Sequence, residues 1–168
     1  MNTYTSSIIA GVFSRSQIEH IARNPKYDLS STLLISILNP PEDVSKNAKS
    51  LQLQLLRRFH SWLIVRFWDV EVTVDEVIKP ISDETAEKIA RFILIHKNHL
   101  GNNLKLMVHC EAGISRSPAV AMAAECIVLH NCNIEEYLAT NPQLLKSTKY
   151  MPNKVVFDKI VSAVKQIE

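Results

Sequence analysis

Apolar residues recur along the chain in two rhythms, and their alternation predicts an α/β layer architecture. Ser7 to Val12 and Thr32 to Leu38 are short aliphatic runs, and Asn39-Pro40-Pro41 stops the second. Trp62 to Phe67 reads the same way, and Leu104 to His109 is the clearest strand of the chain. Helical spacing appears between these runs. Ser14-Arg15-Ser16-Gln17 has the form of a capping box and opens a helix through Arg23, with Ile18, Ile21 and Ala22 on one side. Ser82 or Asp83 caps a second helix, which places Ile89, Phe92, Ile93, His96 and Leu100 inward and ends at Gly101. Pro118 to His130 is almost wholly apolar, so its helix is expected to be buried centrally. A further helix starts at Asn133 and runs to about Thr140. A last one follows Pro152-Asn153, with Val156, Ile160, Ala163, Val164 and Ile167 as its stripe. Residues 43 to 58 carry no clear period, and a short helix over Val44 to Leu51 is the reading there. The expected fold is a central, mostly parallel, twisted sheet of four to five strands flanked by helices.

Composition narrows this picture. The chain has 168 residues, three glycines and no Gly/Ser-rich or Pro-rich divider, which predicts one domain over residues 1–168. A net charge of +2 gives no footing for nucleic acid or an anionic membrane as the main partner. The densest basic cluster, Arg57-Arg58, reads as a solvated face. No run of 18 apolar residues spans a membrane, and the N-terminus lacks a basic region followed by an apolar core. Three cysteines cannot all pair within one chain. Together these features predict a cytoplasmic protein with free thiols, a setting that suits thiolate chemistry. They leave the oligomeric state open.

The chemistry concentrates in Val108-His109-Cys110-Glu111-Ala112-Gly113-Ile114-Ser115-Arg116-Ser117-Pro118, between the clearest strand and the most apolar helix. Pro118 belongs in a first helical turn, where a missing N–H costs nothing. The helix therefore points its free N–H groups and positive dipole end back at the loop. An anion there is stabilised by both, and a cysteine just before the turn is favoured as its thiolate nucleophile. The successive N–H groups of Glu111, Ala112, Gly113, Ile114, Ser115 and Arg116 can wrap three phosphoryl oxygens as a nest. Gly113 permits the backbone angles of so tight a cradle. Arg116, six residues after Cys110, can grip two phosphate oxygens bidentately. Ser117 can donate a hydrogen bond to the sulfur as it leaves.

His-Cys, five residues, then Arg-Ser resembles the signature of the protein tyrosine phosphatase superfamily. The form Glu-Ala-Gly-Ile-Ser-Arg-Ser looks like its dual-specificity branch and the related small microbial and viral enzymes. The resemblance covers roughly Ser61 to Val164. It implies a cysteine-dependent hydrolysis of phosphate monoesters on a phosphorylated protein, tyrosine first and serine or threonine as well if the pocket is shallow, through a phosphocysteine and without metal or organic cofactor. It implies that His109 organises the loop and that an Asp on a loop after the preceding strand is the general acid. Phe67-Trp68-Asp69 echoes that loop, so Asp69 is the choice. Asp75 and Asp83 lie nearer to Cys110 in sequence and stay open as alternatives, with Glu71 behind them. Met151-Pro152-Asn153 resembles an element that buttresses the phosphate loop, although Asn153 is equally readable as a plain helix cap.

Rival readings attach to the same residues. Cys126 and His130 lie four apart with Cys132 just beyond, but no second ligand pair accompanies them, and core packing is preferred to a zinc site. A redox partner for Cys110 among these thiols has no support in the sequence. A phosphate-binding module without useful turnover, and an enzyme acting on a non-protein phosphate, remain the competing functions.

Overall fold

The computed structural model describes residues 4–41, 51–142 and 147–167. Four strands, β1 (Ile9–Phe13), β2 (Thr32–Leu38), β3 (Ser61–Arg66) and β4 (Lys105–His109), form one sheet in the order β1-β4-β2-β3. All three pairings are parallel, so among the described residues the sheet has the smaller of the expected strand numbers and no antiparallel member. Central position explains the composition of β2: all seven residues are buried, and all but Thr32 and Ser36 are aliphatic.

Alternation along β2 divides the core into two layers. Leu33, Ile35 and Ile37 face a large cluster built with α3 (Asp83–His96), α4 (Arg116–His130) and α6 (Lys154–Ile167). Leu34 faces a smaller one with α1 (Arg15–Arg23) and α2 (Leu53–Leu56). Trimming a fully buried side chain such as Ile35 to alanine costs roughly 2–5 kcal/mol. Helix α4 is buried along most of its length, lying between the sheet and its neighbours α3, α5 (Ile134–Thr140) and α6. That environment is why its sequence shows no polar stripe.

The capping box of α1 forms as the sequence predicts. Ser14 Oγ accepts from the Gln17 N–H while Gln17 Oε1 accepts from the Ser14 N–H. Helix α3 takes the first of its two candidate caps and ends earlier than expected. Ser82 is its cap, accepting from the Thr85 N–H, whereas Asp83 reaches Lys159 Nζ at 2.8 Å. The helix stops at His96 rather than Leu100, because Leu100 must pair with Leu104 to lead the chain into β4. Arg58 is no solvated face either. Its guanidinium donates to the carbonyls of Ala22, Asn24 and Tyr27 and satisfies the C-terminal end of α1. The helix expected over Val44 to Leu51 falls almost wholly outside the described residues, and α2 follows where the sequence predicted none.

Parallel strands direct their C-terminal ends to one edge. The ends of β1, β3 and β4 therefore bring Phe13, Phe67 and Cys110 to the same side, where α4 begins. Ligands of open parallel sheets bind at this edge. Among the described residues no helix is long and apolar enough to cross a membrane.

Candidate active site

Strand β4 ends at His109, and α4 starts at Arg116, so the loop between them makes a tight return. Neighbouring segments fasten this loop by its main chain. Cys110 N–H donates to Phe13 O at 3.3 Å, and Arg15 N–H donates to Glu111 O at 3.1 Å. From the other side, Met151 and Asn153 N–H donate to the carbonyls of Ile114 and Ser115. Gly113 has φ +74°, and a Cβ there would lie 2.7 Å from Phe13 C and Ser14 N. Both the left-handed backbone and the close approach require glycine.

The loop curls around the Cys110 sulfur. The Gly113 N–H donates to Sγ at 3.2 Å, and Ser117 Oγ lies 3.1 Å from it. Cys110 is 2% exposed. Ser115 occupies the N-cap position of α4 without capping it by its side chain, so the first N–H groups of this 15-residue helix stay unclaimed by a cap. The site's main-chain donors and helix dipole thus converge where an anion would sit.

Arg116 is 4% exposed. One guanidinium nitrogen donates to Phe67 O at 2.8 Å, and the group lies 6.0 Å from the Phe67 ring centroid. Its Nε is buried without a hydrogen-bond partner, and among the described residues Arg116 makes no ion pair. A buried cation lacking a carboxylate is an unbalanced charge, which an incoming dianion would neutralise.

Asp69 follows β3 and comes to the rim of the same loop. Its Oδ1 accepts from Ser115 Oγ at 2.7 Å and from Asn153 Nδ2 at 3.0 Å. Asn153 Oδ1 at the same time accepts from the Val156 N–H. One end of the amide thus caps α6 and the other holds Asp69, while the Asn153 main-chain N–H reaches the loop at Ser115 O. Asp75 is turned away from this arrangement; it accepts from the Val77 and Ile78 N–H groups in its own turn, which holds its carboxyl below the usual range. Asp83 is engaged with Lys159. Of the three candidate acids, only Asp69 contacts the loop.

His109 is buried beneath the loop, and desolvation pushes it down to about 4. Its Nε2 lies 2.6 Å from Ser36 Oγ, with Nδ1 3.5 Å from Cys110 O. A carbonyl only accepts, so a neutral ring that makes both contacts carries its proton on Nδ1 and accepts a hydrogen bond from the Ser36 hydroxyl at Nε2. Sequence reasoning passed over Ser36, whose one signal was a hydroxyl inside an apolar strand. It also passed over the Ser115 side chain and the carbonyl of Phe67, which are joined to the site only by the fold.

Cys126 is buried in the large core cluster, and burial pushes its thiol up to about 12. His130 turns to Glu136, 3.5 Å away. Among the described residues no group of three or more His, Cys, Asp or Glu could hold a metal ion. All three cysteines are free thiols.

No protein-family model matches the sequence, and no curated protein matches it significantly. Solved structures do resemble it. PTPMT1 in complex with PI(5)P matches with a TM-score of 0.55 and 16% identity, over 96% of this chain and 93% of that one. Tk-PTP in its active form gives 0.53 and 15%, over 93% and 90%. A structure of PTPMT1 alone gives 0.52 and 15%, over 98% and 94%. The chain therefore shares the overall fold of these solved structures.

Proposed function

We propose that the protein is a cysteine-dependent phosphatase acting on phosphorylated protein, with phosphotyrosine the preferred monoester. The observation that carries this reading is the pairing of a buried thiol with a buried, carboxylate-free guanidinium at the two ends of one curled loop. Neither group has a structural use for the other. Both face the need of a phosphoryl group for a nucleophile and a clamp.

In the first step the Cys110 thiolate forms a bond to phosphorus as the ester oxygen departs, and Asp69 gives that oxygen its proton. The Asp69 bonds to Ser115 and Asn153 both use Oδ1, which leaves Oδ2 to carry the proton. In the second step Asp69, now a carboxylate, takes a proton from water as the water attacks phosphorus. The S–P bond breaks, and Ser117 Oγ stabilises the departing sulfur. Loop N–H groups and Arg116 hold the non-bridging oxygens through both transition states.

Residues 111–115 hold no lysine, and Glu111 and Glu71 are exposed near the rim. This charge pattern supports a phosphoprotein over a polyanionic lipid headgroup. The test is steady-state hydrolysis of a phosphotyrosine peptide, a phosphoserine peptide and a soluble phosphoinositide, by wild type and Cys110→Ser. Preferred, Cys110-dependent turnover of the phosphotyrosine peptide is expected. A wild type as inert as the variant would point to a binding module, and preferential turnover of the phosphoinositide would transfer the substrate class.

A further inference from the structure

We propose that Glu71 is a positioning residue, a hook that fastens the acid-bearing segment to the N-terminus of α6 and holds Asp69 over the phosphate loop before substrate arrives. The inference rests on the reading of Asp69 as general acid. The segment from Phe67 to Glu71 is tied down in steps. Arg116 holds Phe67 O, Ser115 and Asn153 hold Asp69 Oδ1, and Glu71 Oε1 accepts from the Lys154 N–H at 2.9 Å. Lys154 is the first residue of α6, so its N–H is one of the donors that a helix leaves without an internal partner. A carboxylate there gains both the hydrogen bond and the helix dipole. The Lys154 ammonium is itself engaged by Asp158, so the hook is a main-chain contact.

Beyond Glu71 the fastening stops. Val72, Val74 and Val77 are 71%, 62% and 66% exposed, and Val74 N–H donates to Ile78 O within the segment. Asp69 therefore sits between two anchors, Arg116 on one side and Glu71 on the other. Releasing the second leaves the acid-bearing chain without its tie to α6 on the side of the exposed valines. Glu71 is directed to the N-terminus of α6 rather than to the Cys110 loop, and it is exposed, so its replacement leaves the core intact.

The test compares Glu71→Ala, Glu71→Gln, Asp69→Ala and the Asp69→Ala/Glu71→Ala double variant on phenyl phosphate, a poor leaving group, and p-nitrophenyl phosphate, a good one. Glu71→Ala is expected to lower kcat on phenyl phosphate by roughly three- to tenfold, the scale of one partly exposed charged cap, with KM unchanged. The loss on p-nitrophenyl phosphate should be smaller. Glu71→Gln, whose amide oxygen still accepts from Lys154, should retain most of the rate. In the Asp69→Ala background the second substitution should change nothing. An active wild type matched by Glu71→Ala on phenyl phosphate overturns this inference alone, as does equal impairment of Glu71→Gln or an additive loss in the double variant. A wild type without Cys110-dependent turnover overturns the phosphatase reading and this inference with it.

Discussion

Ser36 and His109 are partners across the β2–β4 ladder, and their side chains meet at 2.6 Å beneath the Cys110 loop. The contact connects the middle of the sheet to the residue before Cys110. It also keeps a buried imidazole satisfied in its neutral form. Replacing Ser36 by alanine would strand Nε2 in the core, at a cost of about 1–3 kcal/mol. Urea unfolding of Ser36→Ala should show that loss together with reduced turnover.

Acid sensitivity follows from the same ring. His109 is depressed to about 4 from an ordinary value of 6.5. As pH falls, the unfolded chain takes up this proton first, so the unfolded state gains relative to the native one. The contribution to stability is intact above about 6.5 and is lost progressively toward about 4, amounting to roughly 3 kcal/mol. Unfolding midpoints measured across that interval should decline more steeply for wild type than for His109→Gln.

Gly113→Ala should damage the site rather than the core. The αL backbone alone disfavours a side chain by roughly 1–2 kcal/mol, and the loop must also move away from Phe13. We expect lower affinity for inorganic phosphate or tungstate and a large fall in kcat, with the far-ultraviolet spectrum unchanged. Retention of wild-type kinetics would contradict the close approach of Gly113 to β1.

Arg116 gives a less intuitive expectation. Without an anion its guanidinium is a buried charge in need of balance, and relief of that charge offsets the lost bond to Phe67 O, so Arg116→Met should stay close to wild type in stability. Added phosphate should raise the Tm of wild type and leave that of the variant where it was. A marked destabilisation of Arg116→Met in phosphate-free buffer would assign the residue a structural role instead.

These features differ in how far the sequence reveals them. Ser14 with Gln17, and Cys110 with Arg116, lie within one turn or one loop, so the local sequence already brings each pair into view. The ending of α3 at His96 was hidden because the Leu100–Leu104 pairing is imposed by the start of β4, against a helical pattern that continues to Leu100. Ser36 with His109 and Glu71 with Lys154 are joined only after the sheet and the last helix have packed. No local pattern encodes the second pair, whose members are 83 residues apart. Arg58 shows the converse: a residue that looks like surface charge becomes the cap of a distant helix end.

The acid assignment makes its own demand on kinetics. Asp69→Asn should depress kcat on phenyl phosphate by about 10²–10⁴-fold and affect p-nitrophenyl phosphate far less, as loss of a positioned proton donor does. The same result from Asp75→Asn, with Asp69→Asn unaffected, would reassign the role.

The most direct measurement is rapid acid quenching of the protein during turnover of an aryl phosphate, followed by mass spectrometry of the peptide that contains Cys110. A phosphoryl group on the Cys110 sulfur that appears within the first turnover, and is absent from Cys110→Ser, is the predicted result. Turnover that leaves this sulfur unmodified, or that persists in Cys110→Ser, would contradict the account at its centre.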